Sequence, residues 1–441
     1  MKKWSASVAF VLLFSVILSA CSSGSGSKGN DSAQGSGSSD GGGSGKVVEL
    51  KFTTWGELSA DSVEKKLADE FNASHPGIKV TFEPVPGDGY ATKLTTSLAA
   101  GQAPDVFLIG EGDYFKYVDK GVVEPLDEYI SQDSSFKTDM FQPDLLNMGK
   151  IGGKLYYLPK DFNPLALWYN KRMFDAAKIP YPTDDWTWDD MISAAKKLTQ
   201  KDGSGKIKEF GFNATKWEYP IYIYLWLNGT DIGNEDGTKA EGFMNSEKTV
   251  AAMEKYVALA QGDDRVSPTP QDTETLGGDS SMFMTDKLAM MITGRWVKGD
   301  LDKSDVQYGS ALIPKGASGE RASIIAAAGW AMNANGKHKK EAYELMKWLS
   351  GTEAQKARSE KGQVLPATIA ELDQVKRTEV VDKPVIEMMD YAKKPISMRS
   401  ANAPTFTEEF NKAVEKVLLN KSTVKDALNE AAKNVDSKIA K

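Results

Sequence analysis

Aromatic side chains set beside carboxylates are the feature of this sequence best suited to chemistry. Trp55 stands where an alternating segment ends, Trp217 and Tyr219 lie in a polar stretch after Gly211-Phe212, and Trp296 and Trp330 each follow closely on a glycine. Indoles offer flat apolar faces, and a nearby glycine lets backbone or ligand approach. Glu57, Glu111, Asp113 and Asp161 fall in loops on the same expected rim, and each carboxylate accepts hydroxyl hydrogen bonds. That mixture suits a neutral, hydroxyl-rich ligand with apolar C–H faces, because an unmatched buried polar group costs about 2 kcal/mol or more. Two of the acids about 5 to 9 Å apart would instead support glycosidic hydrolysis, and composition alone leaves both chemistries open.

Metal and cofactor chemistry find little footing. His75 and His338 occupy two separate turn-like contexts. The segments starting at Asp202 and at Asn234, the second containing Asp236, lack the acidic ladder and terminal glutamate of a calcium loop and read as turns.

The elements that must position these residues follow from hydropathy period. Val48, Leu50 and Phe52 alternate with polar residues as a strand; Val63, Leu67 and Phe71 form a helical stripe, with Asp61 and Glu64 as its expected cap pair; Ile78, Val80 and Phe82 alternate again. A helical pattern over Tyr90 to Ala100 then leads into the apolar run Val106 to Ile109. Strand, helix, strand, helix, strand predicts a parallel sheet, whose ligands gather beyond the carboxyl ends of its strands. Trp55, Glu57, Glu111 and Asp113 all fall on that rim. Farther on, Leu165 to Trp168 reads as extended, Thr187 caps a helix, Ser323 to Asn333 is strand-like, and a helix from Lys339 ends at Gly351. Thr423 to Lys441 closes the chain as an amphipathic helix.

The first residues carry a different message. Lys2 and Lys3 precede an apolar run from Val8 to Leu18, too short to span a bilayer permanently, which needs roughly 20 residues. Residues 1–20 therefore read as a signal peptide. Leu18-Ser19-Ala20-Cys21 resembles the bacterial lipobox, which implies that Cys21 receives a diacylglyceryl group. It is the one cysteine of 441 residues, so no intramolecular disulfide forms. From Ser22 to Gly45, 18 of 24 residues are Gly or Ser, giving a coil with a root-mean-square reach of about 27 Å. The formal charge of −7 argues against nucleic acid as a partner.

Several blocks along the chain are similar to the family 1 extracellular solute-binding proteins, the maltose and multiple-sugar type. They are Thr53-Thr54-Trp55-Gly56, Leu98-Ala99-Ala100-Gly101-Gln102-Ala103-Pro104-Asp105-Val106, Trp168-Tyr169-Asn170-Lys171-Arg172-Met173-Phe174, Thr187-Trp188-Asp189-Asp190, Gly294-Arg295-Trp296 and Gly329-Trp330. Ala328 stands where the family usually has another glycine. The resemblance implies an α/β fold of two lobes, each a mainly parallel sheet flanked by helices, with ligand in the cleft between them. Residues 46–162 plus 326–372 would form the first lobe, and 163–325 plus 373–441 the second. It implies that the tryptophans above face the cleft, and that Arg399 brings a side chain there. It further implies a carbohydrate ligand, no cofactor or metal, no catalysis and a permease of an ABC importer as partner. The lipobox places the chain on the outer face of the membrane, and one anchor with one cleft needs no symmetry mate, so a monomer is expected. Alternatives within that scaffold are a polyamine, a metal chelate or a phosphorylated polyol, which would want clustered carboxylates, metal-binding side chains or converging Arg and Lys.

Overall fold

Alternating burial builds the first sheet. The computed structural model of the protein describes residues 46–56, 62–362, 364–378 and 380–440; Cys21, the expected leader and tether, Glu57 and Asp61 lie outside the described residues. Strand Val48–Thr53 buries Leu50 and Phe52 and pairs in parallel with Ile78–Phe82 on one side and Val106–Gly110 on the other. Helix Val63–Ser74 covers them with Val63, Leu67 and Phe71. Its cap differs from expectation: the Ser62 hydroxyl accepts from the Lys65 N–H, and Glu64 is engaged elsewhere.

The sheet is completed from distant parts of the chain. Ile325–Met332 lies antiparallel between Val106–Gly110 and Tyr157–Pro164, and the short strand Leu365–Pro366 adds the outer edge. The three parallel strands and Tyr157–Pro164 thus share one direction. A second sheet has Ala166–Asn170 at its centre, flanked by Met290–Thr293 and Tyr308–Ala311. Both of its ladders are antiparallel, which corrects the expectation of a mainly parallel sheet in each lobe. A run buried on both faces, as Ala166–Asn170 is, occurs in parallel and antiparallel settings alike, so its pattern could not distinguish them.

Two hydrophobic cores correspond to the two sheets. Phe52, Phe71, Phe107, Trp330 and Leu345 belong to the smaller one, while Trp168, Phe212, Ile223, Phe283 and Phe410 belong to the larger. Phe162, Leu365 and Leu372, on segments expected in the first lobe, pack in the larger core. The chain passes between the sheets at Leu165. Its N–H donates to the Ile324 carbonyl (3.0 Å) and its carbonyl accepts from the Ser323 hydroxyl (2.8 Å), so the outward and return connections run side by side.

Local signals hold elsewhere. Thr187 and Asp190 form a reciprocal capping box at the head of Trp188–Leu198, Lys339–Ser350 stops at Gly351, and Thr423 caps Val424–Ile439. Among the described residues no helix is long and apolar enough to cross a membrane.

Candidate functional site

The carboxyl ends of the parallel strands open into a cleft of about 700 Å³. Thr54, Trp55 and Gly56 follow the first strand and Glu111 follows the third, while Asp161 and Asn163 come from Tyr157–Pro164 and residues 326–328 from the inserted strand. The facing side is supplied by Trp296 and Lys303. Trp296 also lines a second cavity of about 540 Å³ with Trp217, Asn213 and Asp279, so one indole joins two compartments.

Each aromatic is held by its surroundings. Trp55 is 40 % exposed and stands edge-on to Tyr90 (5.5 Å, 84°), whose hydroxyl donates to the Leu108 carbonyl at 2.7 Å. A Cβ at Gly110 would lie 3.4 Å from the Trp55 ring, so the indole rests against bare backbone. Trp296, 36 % exposed, meets the Trp217 ring at 5.8 Å and 68°, and Trp217 lies on Tyr219 at 5.1 Å. At Gly294 a Cβ would fall 2.1 Å from the Trp296 ring, so glycine there makes room for the ring itself.

Polar groups in the cleft are left for a ligand. Thr54 Oγ1, Asn163 Oδ1 and Arg358 Nη2 are buried without a hydrogen-bond partner among the described residues, and all three residues line the cleft. A ligand hydroxyl or anion that met them would recover about 1–3 kcal/mol each. Asp279 Oδ1 is in the same condition in the second cavity, and burial pushes its carboxyl above the usual range.

Glu111 ties the two sides together. Its Oε1 accepts from the Tyr219 hydroxyl at 2.5 Å and its Oε2 from the Ala327 N–H at 3.0 Å. Burial drives this carboxyl up to about 7, against the opposing pull of those bonds, with Asp161 adding repulsion. The folded protein therefore holds the Glu111 proton at pH values where the unfolded chain has lost it. Stability from this group is full at about pH 4 and drains away as pH rises through about 7. Relative to Glu111→Gln, the native protein should be more stable near pH 5 than near pH 8; urea midpoints at the two pH values check this, and a constant difference would contradict it.

An ion-pair cluster that sequence reasoning missed also lines the cleft. Asp161 pairs with Lys160, and Glu64 accepts from Arg358 Nε at 2.8 Å with Lys160 Nζ at 3.9 Å. Burial raises the Glu64 carboxyl, but Arg358 and Lys160 outweigh it and hold the carboxyl below its ordinary range. Glu64 and Arg358 are 294 positions apart, so no local signal joins them; Thr54, next to Trp55 at the strand's end, is a cleft-lining residue that a rim argument could have found.

Three expected site residues stand elsewhere. Trp330 has no exposed surface: it packs edge-on to Phe52 (5.7 Å, 73°) beneath the Arg358 guanidinium (5.6 Å). Gly329 before it accommodates the Tyr157 ring, which a Cβ would approach to 2.0 Å. Arg399 pairs with Asp231 and donates to the Asn234 and Glu235 carbonyls, bracing loops away from the cleft. Asp113 sits at the start of Tyr114–Asp119 and pairs with Lys116 at 3.2 Å, outside the cleft lining. Trp55, Glu111, Asp161 and Trp296 do line the cleft, Trp217 lines the adjoining cavity, and Tyr219 bonds Glu111. In the Asp202 turn, Oδ1 accepts from the N–H groups of Ser204 and Lys206.

Residues 55–356 match the profile of the bacterial extracellular solute-binding proteins. This chain belongs to that family. The solute-binding protein is 31% identical over 283 residues to a binding protein of Brucella abortus (strain 2308), covering 63% of this chain and 66% of that one, just under two thirds of the relative's length. It is 24% identical over 428 residues to the sn-glycerol-3-phosphate-binding periplasmic protein UgpB of the same organism, covering 90% of this chain and 95% of UgpB. Among solved structures, the ABC substrate-binding protein Lmo0181 from Listeria monocytogenes, in complex with cycloalternan, aligns with a TM-score of 0.81 at 28% identity, over 89% of this chain and 99% of that one. The solute-binding protein therefore has the two-lobed α/β fold of ABC substrate-binding proteins, and these relatives are binding proteins, not enzymes.

Proposed function

We propose that this chain is a lipid-anchored receptor on the outer face of a bacterial cell membrane that captures a carbohydrate and hands it to the permease of an ABC importer. The observation that carries the reading is the cleft itself. Trp55 and Trp296 offer apolar platforms there, and Thr54 Oγ1 and Asn163 Oδ1 stand buried beside them without partners, a lining that matches the C–H faces and hydroxyls of a saccharide. Lmo0181, the structural relative above, is in complex with cycloalternan.

The remaining parts follow the same reading. The lobes are residues 46–162 plus 326–372 and residues 163–325 plus 373–441, with 365–372 docked on the second core. Their connections beside Leu165 serve as the hinge, and ligand favours closure by binding the closed form better. Lipidated Cys21 anchors a monomer through its tether. Cys21→Ala should move the protein from the membrane fraction to the soluble fraction; retention in the membrane would remove the anchor from this account.

A phosphorylated polyol is the second reading, favoured by the UgpB relative and by Lys303, Arg358 and Lys361 in the cleft. The test is thermal unfolding of the protein against mono-, di- and oligosaccharides and glycerol phosphates. A ligand bound at a hundredfold excess over Kd adds about 2.7 kcal/mol. Stabilisation by a saccharide class, with no new reducing ends after incubation, is expected; stabilisation by glycerol phosphates alone would replace the sugar reading.

A further inference from the structure

The charges in the cleft do not balance. Asp161 is matched by Lys160, and Glu64 by Arg358, while Glu111 is committed to Tyr219 and the Ala327 N–H. Three donors remain. Lys361 makes no ion pair among the described residues, Lys303 reaches Asp300 only at 3.9 Å with both side chains largely in water, and Arg358 Nη2 has no acceptor although its side chain is 2 % exposed. Lys303 and Lys361 line both the cleft and an adjoining pocket of about 320 Å³, and Arg358 lines the cleft with them. That pocket shares no lining residue with the small cavity that Glu111 borders, so the cationic corner and the Glu111 corner open onto different neighbours.

A neutral saccharide would leave the buried Arg358 N–H unsatisfied or matched by a weak acceptor. An anionic oxygen there brings charge on both partners, and so gains a Coulombic attraction to the guanidinium that a neutral hydroxyl lacks. The two flexible lysines can close on the same group from the rim, each ammonium bringing three donors. Arg358 itself is fixed from three sides: Nε binds Glu64, Nη1 donates to the Leu349 carbonyl at 2.7 Å, and the guanidinium lies over Trp330. Nη2 is thus a preorganised donor, and preorganisation lowers the entropy lost on binding.

We propose that the cleft selects saccharides bearing an anionic group, a carboxylate or a phosphate, and seats that group among Lys303, Lys361 and Arg358 Nη2. This deepens the carbohydrate reading and rests on it. The anion occupies the corner toward the adjoining pocket, while the sugar rings extend along Trp55 and Trp296.

The experiment is a glycan array carrying neutral oligosaccharides and their uronic-acid and phosphorylated counterparts, probed with the native protein and with Lys303→Gln/Lys361→Gln. Both lysines are exposed, so the variant should keep its unfolding temperature, which is measured alongside. The native protein is expected to retain acidic glycans at least about tenfold more strongly than the matched neutral ones, with the preference shrinking as salt rises. In the variant, which keeps Arg358, the preference should shrink by about threefold or more. The stronger of the carboxylate and phosphate arms identifies the group. Neutral glycans held as strongly as acidic ones would overturn this inference and leave carbohydrate binding standing, as would an acidic preference unchanged in the variant. Retention of no glycan in any arm would overturn both.

Discussion

Trp296→Ala should weaken saccharide binding by about thirtyfold or more, roughly 2 kcal/mol, while the unliganded protein unfolds at nearly the native temperature. The indole stands where two cavities meet, touching the Trp217 ring and open to solvent over 36 % of its surface. Its removal takes away the platform on which a sugar ring would desolvate, yet leaves no closed cavity in a core. The two halves of this expectation are separable by calorimetric titration and by thermal unfolding of the same sample. Affinity within about threefold of native would show that the ligand does not rest on this face.

Trp330→Ala should act in the opposite way, lowering unfolding free energy by about 3–5 kcal/mol, the range for a buried aromatic truncated to alanine. Trp330 is fully buried in the central strand Ile325–Met332, against Phe52 and under Arg358. The neighbours belong to a sheet and a close-packed core, so they cannot collapse into the space of an indole. Trp330→Phe, which fills much of that space, should lose far less. Urea unfolding without ligand reads both values; a Trp330→Ala variant as stable as native would contradict the placement of this side chain.

The pair shows what was legible and what was not. Both tryptophans follow glycine closely, and sequence suggested one role for both. For Trp296 the nearby Gly294 clears space for the ring at the cleft, whereas Gly329 clears space for Tyr157 across the sheet. Adjacent residues of a strand point to opposite faces, but Ile325–Met332 is apolar throughout, so nothing in its pattern marked the face that meets solvent.

Features fixed by nearby residues were readable. The parallel start of the first sheet, the capping box at Thr187, the stop at Gly351 and the rim position of Trp55 all follow from local period and cap chemistry. Features fixed by distant partners were not. Arg399 in a loop gave no hint of Asp231, and Glu64 in a first helical turn read as a cap residue, although its partner Arg358 lies nearly three hundred positions away. The cationic corner is hidden in part for the same reason, since Arg358 and Lys361 stand three positions apart at one helix end but Lys303 joins them only in the folded chain.

The most direct measurement is a crystal structure of the protein with the saccharide that raises its unfolding temperature most. A sugar ring against Trp296 or Trp55, with hydroxyls within hydrogen-bond distance of Thr54 Oγ1 and Asn163 Oδ1, is the predicted result. A saccharide bound outside this cleft, with those atoms still unpaired, would contradict the account.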